Sequence, residues 1–211
     1  MFVATLTALA FVSAILTIYA AAQNHRRLLL YVFKPLTVLF IILIALESSF
    51  PASSFYRYMI IAGLAFSLAG DIFLMLPFDR FIQGLVSFFV AHLFYIAAFI
   101  VEGGQETYSI IRVAFMLYGM LMMQLLWPHL GKMRLPVLAY MLVILMMGWT
   151  ATGRWIGTKQ PGSLFAFLGA ILFIISDSAL AVDRFKGHFT KAQVYILTTY
   201  FAAQWLIALS T

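Results

Sequence analysis

Eight stretches of about twenty mostly apolar residues follow one another along the chain, at roughly 2–22, 28–46, 58–78, 81–101, 110–128, 136–156, 162–182 and 192–210. A helix needs about that length to cross the hydrocarbon core of a bilayer. Only 20 of the 211 residues are charged, 13 basic and 7 acidic, too few to cover a soluble fold of this size. Membrane-barrel strands would alternate polar and apolar residues. These stretches are apolar all round, and in lipid a helix satisfies its own backbone. The expected fold is an all-α membrane protein with eight transmembrane helices in a single integral domain, 1–211. The first stretch ends in Ala20-Ala21-Ala22, as a cleaved leader does. It lacks a basic start and exceeds a leader's apolar length, so it is expected to stay as a helix. The absence of cysteine excludes disulfides, zinc–thiolate sites, iron–sulfur clusters and thiol catalysis.

Short connections hold most of the charge and set the orientation. Eight spans put both termini on one side, with Arg57, Arg112, Arg154 and Lys159. The other side carries Arg26, Arg27, Lys34, Arg80, Lys132, Arg134, Arg184, Lys186 and Lys191, nine cations against four. The richer side is expected to be cytoplasmic, with both termini non-cytoplasmic. The net charge of +6 is this asymmetry and needs no nucleic acid. No protein partner is implied.

A weak internal repeat divides the chain into halves of approximately 1–105 and 106–211. Gly63, Asp71 and Leu74 in span three match Gly169, Asp177 and Leu180 in span seven, at a shift of 106. Asp79-Arg80-Phe81 follows the first set and Asp183-Arg184-Phe185 the second. Spans two and six both open with a basic residue and a proline, Lys34-Pro35 and Arg134-Leu135-Pro136. Proline fits a first helical turn, so this match is the weakest. Four spans per half keep the two copies in parallel orientation about an axis along the membrane normal, with spans three and seven facing each other across it.

Of the seven acids, Glu47, Asp79, Glu102, Glu106 and Asp183 fall at span ends or in loops, whereas Asp71 and Asp177 do not. At 1.5 Å per residue they lie about 5 Å and about 8 Å from the middle of their spans, toward the cytoplasmic side. A charged Asp at a helix centre costs about 2.5–3.5 kcal/mol on insertion scales. No intramembrane Arg accompanies either, so each is expected to face the bundle interior, carry a proton or touch water. Gly63, Ser67 and Gly70 form a small-residue ridge turning with Asp71, the kind that lets helices approach closely. Ser67 is placed to hydrogen-bond Asp71, and Ser176 and Ser178 flank Asp177. Two carboxylates in one low-dielectric site supply a proton donor and a base. Simple cross-linking of helices is the plainer alternative.

Other intramembrane polar groups are few. His92 sits mid-span with Tyr95 on the same face; a buried helix-bridging role competes with a functional one. Tyr200 and Gln204 form an i, i+4 pair, with interhelical hydrogen bonding as the alternative. Lys34 either snorkels to the cytoplasmic interface or points inward at a phosphate. No histidine spacing suits a metal site, and none is expected. The eleven methionines read as lipid-facing or core packing, and the tryptophans as interfacial anchors.

Gly63-Leu64-Ala65-Phe66-Ser67-Leu68-Ala69-Gly70-Asp71-Ile72-Phe73-Leu74-Met75-Leu76-Pro77 resembles the signature of the YhhN family of lysoplasmalogenase-like membrane proteins. So do Lys34-Pro35, Ala91-His92-Leu93-Phe94-Tyr95, Ser176-Asp177 and Tyr200-Phe201-Ala202-Ala203-Gln204-Trp205-Leu206-Ile207. The resemblance spans most of the chain in the same order. It implies hydrolysis of the vinyl ether bond of lysoplasmalogens, giving a fatty aldehyde and glycerophosphoethanolamine or glycerophosphocholine. It also implies a bacterial inner (cytoplasmic) membrane and a lysophospholipid substrate, with a substrate other than lysoplasmalogen left open. The chemistry requires one protonated acid, one carboxylate and water, and no cofactor. Asp71 is assigned as acid and Asp177 as base, with the reverse open. Lys34, Ser67, His92, Tyr95, Ser176, Tyr200 and Gln204 are the supporting residues, and Lys34, Arg80 and Arg184 the candidates for the phosphate. A proton-coupled transporter or lipid-binding membrane protein is the alternative. An intramembrane aspartyl protease fits less well, since such enzymes pair Tyr-Asp with Gly-x-Gly-Asp where this chain has Ser176-Asp177 and Leu68-Ala69-Gly70-Asp71.

Overall fold

Eight helices form where the apolar stretches predict them: α1 (Phe2–Ala22), α2 (Arg27–Glu47), α3 (Ser54–Met75), α4 (Phe81–Val101), α5 (Ser109–Leu126), α6 (Arg134–Thr158), α7 (Pro161–Ala181) and α8 (Ala192–Leu209). The computed structural model describes residues 2–23, 27–48, 52–103 and 109–211, among which there is no strand. Arg26 and Glu106 of the charge reading lie outside the described residues. Each helix brings a segment long and apolar enough to cross a membrane.

Local chemistry moves several helix ends away from the hydropathy reading. α3 starts four residues before the expected 58, because the Ser53 side chain accepts a hydrogen bond from the Tyr56 N–H at 3.2 Å and caps the helix. It stops before 78 because Leu76, preceding Pro77, is held extended (φ −60°, ψ 146°). Pro35 does not open its helix as expected: α2 begins at Arg27, and Pro35 lies inside it. Next to this interruption the Phe33 carbonyl accepts from both Ser13 (2.9 Å) and Thr37 (2.8 Å), a polar clasp between α1 and α2. Arg154, expected among the loop charges, is 3% exposed inside α6.

α1 runs along α2, α3 along α4, and α7 along α8. α2 also rests on α3 and α6 on α7, while contacts of α4 with α6 and of α8 with α1 and α2 close the bundle. α5 packs mainly on α6. Lipid gives helices no hydrophobic reason to associate, so close fit and polar clasps hold the bundle. α3 approaches α4 through glycine: a Cβ on Gly70 would lie 2.7 Å from the Phe88 ring, and one on Gly63 would collide with Tyr95. At the expected non-cytoplasmic end, Arg154 donates to Glu102 (2.8 Å) and to the Tyr56 hydroxyl (3.0 Å), which meets Ser210 at 2.6 Å. This cluster ties α3, the end of α4, α6 and the residue following α8. The outer faces of the helices, with Phe11, Ile15, Val86, Met116 and Leu121 among many exposed apolar side chains, belong to lipid.

Candidate active site

The last turns of α3 and α7 carry Asp71 and Asp177 to a common cavity of about 890 Å³. Its walls come from α1, α2, α3, α4, α7 and α8. Arg27, Asp79, Arg80, Asp183, Arg184 and His188 surround its mouth at the cation-rich end of the bundle.

Asp71 is 1% exposed and carries two donors. The Lys34 ammonium of α2 lies 2.8 Å from Oδ1, and the Tyr200 hydroxyl of α8 donates to Oδ2 at 2.6 Å. Lys34 also sits 5.8 Å from the centre of the Tyr200 ring. Lys34 therefore neither snorkels nor waits for a phosphate, as the sequence suggested; it is the counter-ion of a buried carboxylate. Two turns inside α2 and mostly buried at the cavity wall, its ammonium is compensated by Asp71. Asp177 has a different partner. The Tyr140 hydroxyl of α6 donates to its Oδ2, and among the described residues no cation lies within ion-pair distance.

Several expected contacts are replaced by others. Ser67 does not bond Asp71; its Oγ lies 3.4 Å from the Tyr95 hydroxyl, because the glycine ridge turns it toward α4. Ser176 lines the cavity but donates to the Ile196 carbonyl (3.0 Å), bridging α7 and α8. Ser178 donates back to Ile174 (2.7 Å) and meets Tyr118. Neither flanking hydroxyl serves Asp177. His92 and Tyr95 share a face, but His92 is fully buried, with Nδ1 2.5 Å from the Phe88 carbonyl and its ring against Tyr95, Tyr140 and Phe173. Gln204 is fully buried, among the described residues neither amide atom has a hydrogen-bond partner, and the pair with Tyr200 is not a bond. Ser67, His92, Tyr95 and Gln204 all lie off the cavity surface.

Tyr140 is the residue that sequence reasoning missed. One signal was present: Tyr140 precedes Asp177 by 37 residues, the same interval that separates Lys34 from Asp71. At the mouth the two Asp-Arg-Phe motifs touch. Arg184 pairs with Asp79 at 2.5 Å and lies over the Phe81 ring, whose edge meets Phe185. The Arg184 hydrogen bond, with a second from the Phe81 N–H, holds the Asp79 carboxyl below the usual carboxylate range.

Fold and site together define an integral membrane protein with one buried and one half-buried carboxylate, Asp71 and Asp177, on one cavity. The chain belongs to the YhhN family, which it matches over residues 29–211. It is 29% identical, over 180 residues, to a protein named uncharacterized membrane protein YhhN from Escherichia coli O157:H7, covering 85% of this chain and 86% of that one. It is 38% identical to human lysoplasmalogenase TMEM86B over 156 residues, 74% of this chain and 64% of that protein. Identity to human lysoplasmalogenase TMEM86A is 36% over 159 residues, 72% of this chain and 64% of that one. No solved structure matches the chain.

Proposed function

We propose that the protein is a lysoplasmalogenase-type hydrolase, cleaving the vinyl ether bond of a lysoplasmalogen to a fatty aldehyde and glycerophosphoethanolamine or glycerophosphocholine. The observation that carries this reading is the unequal pair of carboxylates on one cavity. Both accept a tyrosine hydroxyl, and among the described residues only Asp71 of the two pairs with a cation. The reaction itself comes from relatives named lysoplasmalogenase.

The inequality divides the labour, and it favours the reverse of the first assignment. Asp71, balanced by Lys34, is the standing anion. Asp177, with a neutral partner, carries the proton into the site. That proton passes to the β-carbon of the vinyl ether, the double-bond electrons form the new C–H bond, and an oxocarbenium ion remains. Asp71 stabilises this cation and takes a proton from the water that adds to it. The hemiacetal then collapses: Asp71 returns its proton to the departing glycerol oxygen, the hemiacetal hydroxyl gives its proton to Asp177, and aldehyde leaves. Protons and charge balance over the cycle, and no cofactor takes part.

Purified protein is expected to release aldehyde from lysoplasmenylethanolamine. Asp71→Asn and Asp177→Asn should each lower kcat by about 100-fold or more. Full activity in either variant would overturn the mechanism. Proton-dependent uptake into liposomes without aldehyde would instead mark a transporter.

The same reading takes the halves 1–105 and 106–211 as parallel copies of one four-helix unit. The shared 37-residue interval and the like pairings of α2 with α3 and α6 with α7 support it. It also places both termini outside and turns the cavity mouth to the cytoplasm of a bacterial inner membrane.

A further inference from the structure

We infer that Arg27 and Arg80 form the binding site for the phosphate of the substrate's head group, at the mouth of the cavity; this rests on the hydrolase reading above. The reacting vinyl ether must reach Asp71 and Asp177. Only the three glycerol carbons and an ester oxygen separate the ether oxygen of such a lipid from its phosphorus. The phosphate therefore has to stop on the mouth side of the carboxylates, within reach of a long cationic side chain.

Four cations and one histidine line the cavity or its mouth in the described residues: Arg27, Lys34, Arg80, Arg184 and His188. Three are engaged. Lys34 is bound to Asp71 at 2.8 Å, Arg184 to Asp79 at 2.5 Å, and His188 lies 3.2 Å from Asp183. The Asp79 carboxyl, held low by Arg184, stays ionised at neutral pH and keeps that arginine occupied. Arg27 and Arg80 remain, both exposed, and among the described residues neither makes an ion pair or a side-chain hydrogen bond. This removes Lys34 and Arg184 from the three phosphate candidates read from the sequence and adds Arg27.

The two arginines come from different walls, Arg27 at the start of α2 and Arg80 just before α4. Arg27 precedes Lys34 by about 10 Å along the axis of α2 at 1.5 Å per residue. A glycerol arm and an extended guanidinium side chain together bridge such a span. Guanidinium groups suit a phosphodiester because each presents paired N–H donors to two of its oxygens. Beside Arg80, Leu76 and Phe78 are 42% and 73% exposed, so the mouth offers charge and apolar surface side by side, as a lysolipid requires.

The test uses purified full-length protein in detergent and two substrates, a 1-alkenyl-glycerophosphoethanolamine and the 1-alkenylglycerol that lacks the phosphate. Wild-type protein should prefer the first. In Arg27→Gln/Arg80→Gln the ratio of the two kcat/KM values should fall about tenfold or more, the loss of a charge-assisted contact. Single variants should fall between. Lys132→Gln, which removes a cation from the same end but not from the cavity, should leave the ratio as it was. Binding of a fluorescent lysophosphatidylethanolamine, an ester with no vinyl ether, reads the site without catalysis and should weaken by a similar factor. An unchanged ratio and unchanged probe binding in the double variant would overturn the phosphate site while leaving the hydrolase reading intact. No aldehyde from wild-type protein would overturn the hydrolase reading, and probe binding would then judge the site alone. Inorganic phosphate competing as well as the lysolipid probe would make this a free-phosphate site and overturn the head-group assignment.

Discussion

Asp71 ties three helices through one carboxylate, since Lys34 comes from α2 and Tyr200 from α8. Breaking a buried ion pair from one side leaves an uncompensated charge and costs about 3–5 kcal/mol, whereas replacing both partners with neutral groups costs far less. Lys34→Met and Asp71→Asn should therefore each lower the melting temperature in detergent, and the double variant should recover most of the loss. Activity should stay low in all three. Recovery of melting without activity separates the structural role of the pair from its chemical one. Both aspartates were legible in the sequence because an acid deep in an apolar span has no topological purpose. Lys34 was ambiguous because a long side chain two turns from an interface has two ways to find a partner. Tyr140 was not legible by itself, since a tyrosine in a span is ordinary; only its interval to Asp177 distinguishes it.

Along a helix, hydropathy reports length and leaves the ends to local chemistry. The Ser53 cap and the Leu76-Pro77 stop displaced α3 toward its N-terminus, and because both ends moved the same way Asp71 lies about 10 Å from the middle of its helix rather than about 5 Å, nearer the cavity mouth. The small-residue ridge was legible as a close approach, but which neighbour it met was not. That required knowing that α4 rather than α7 lies against α3. Gly63 offers the sharpest test of this interface, because any side chain there falls on the Tyr95 ring. Gly63→Ala should destabilise by about 1–3 kcal/mol, the usual cost of overpacking. Gly63→Leu should cost more, and adding Tyr95→Leu to Gly63→Ala should return part of the stability, all read from thermal melts. An equal loss in the Ala and double variants would argue against a ring-on-glycine contact.

For the whole molecule, the lack of cysteine makes orientation directly measurable. A single cysteine placed at Lys132 should react with a membrane-impermeant thiol reagent only from the cytoplasmic side, and one at Lys159 only from the opposite side. The reverse pattern would turn the cavity mouth outward and overturn the charge-based topology. The cavity also has an end. Past Asp71 and Asp177, away from the mouth, Leu64, Ile60 and Tyr56 of α3 and Tyr95 and Phe99 of α4 have no exposed surface, and the Arg154–Glu102 cluster lies beyond them. An energy-conserving membrane stores work as a difference in proton potential, and an acid–base site sunk into it is a potential short circuit. In the proposed mechanism the two carboxylates trade protons with the compartment on the mouth side and face an insulating plug toward the other. Turnover can then draw and return protons on a single side, leaving the stored gradient undischarged.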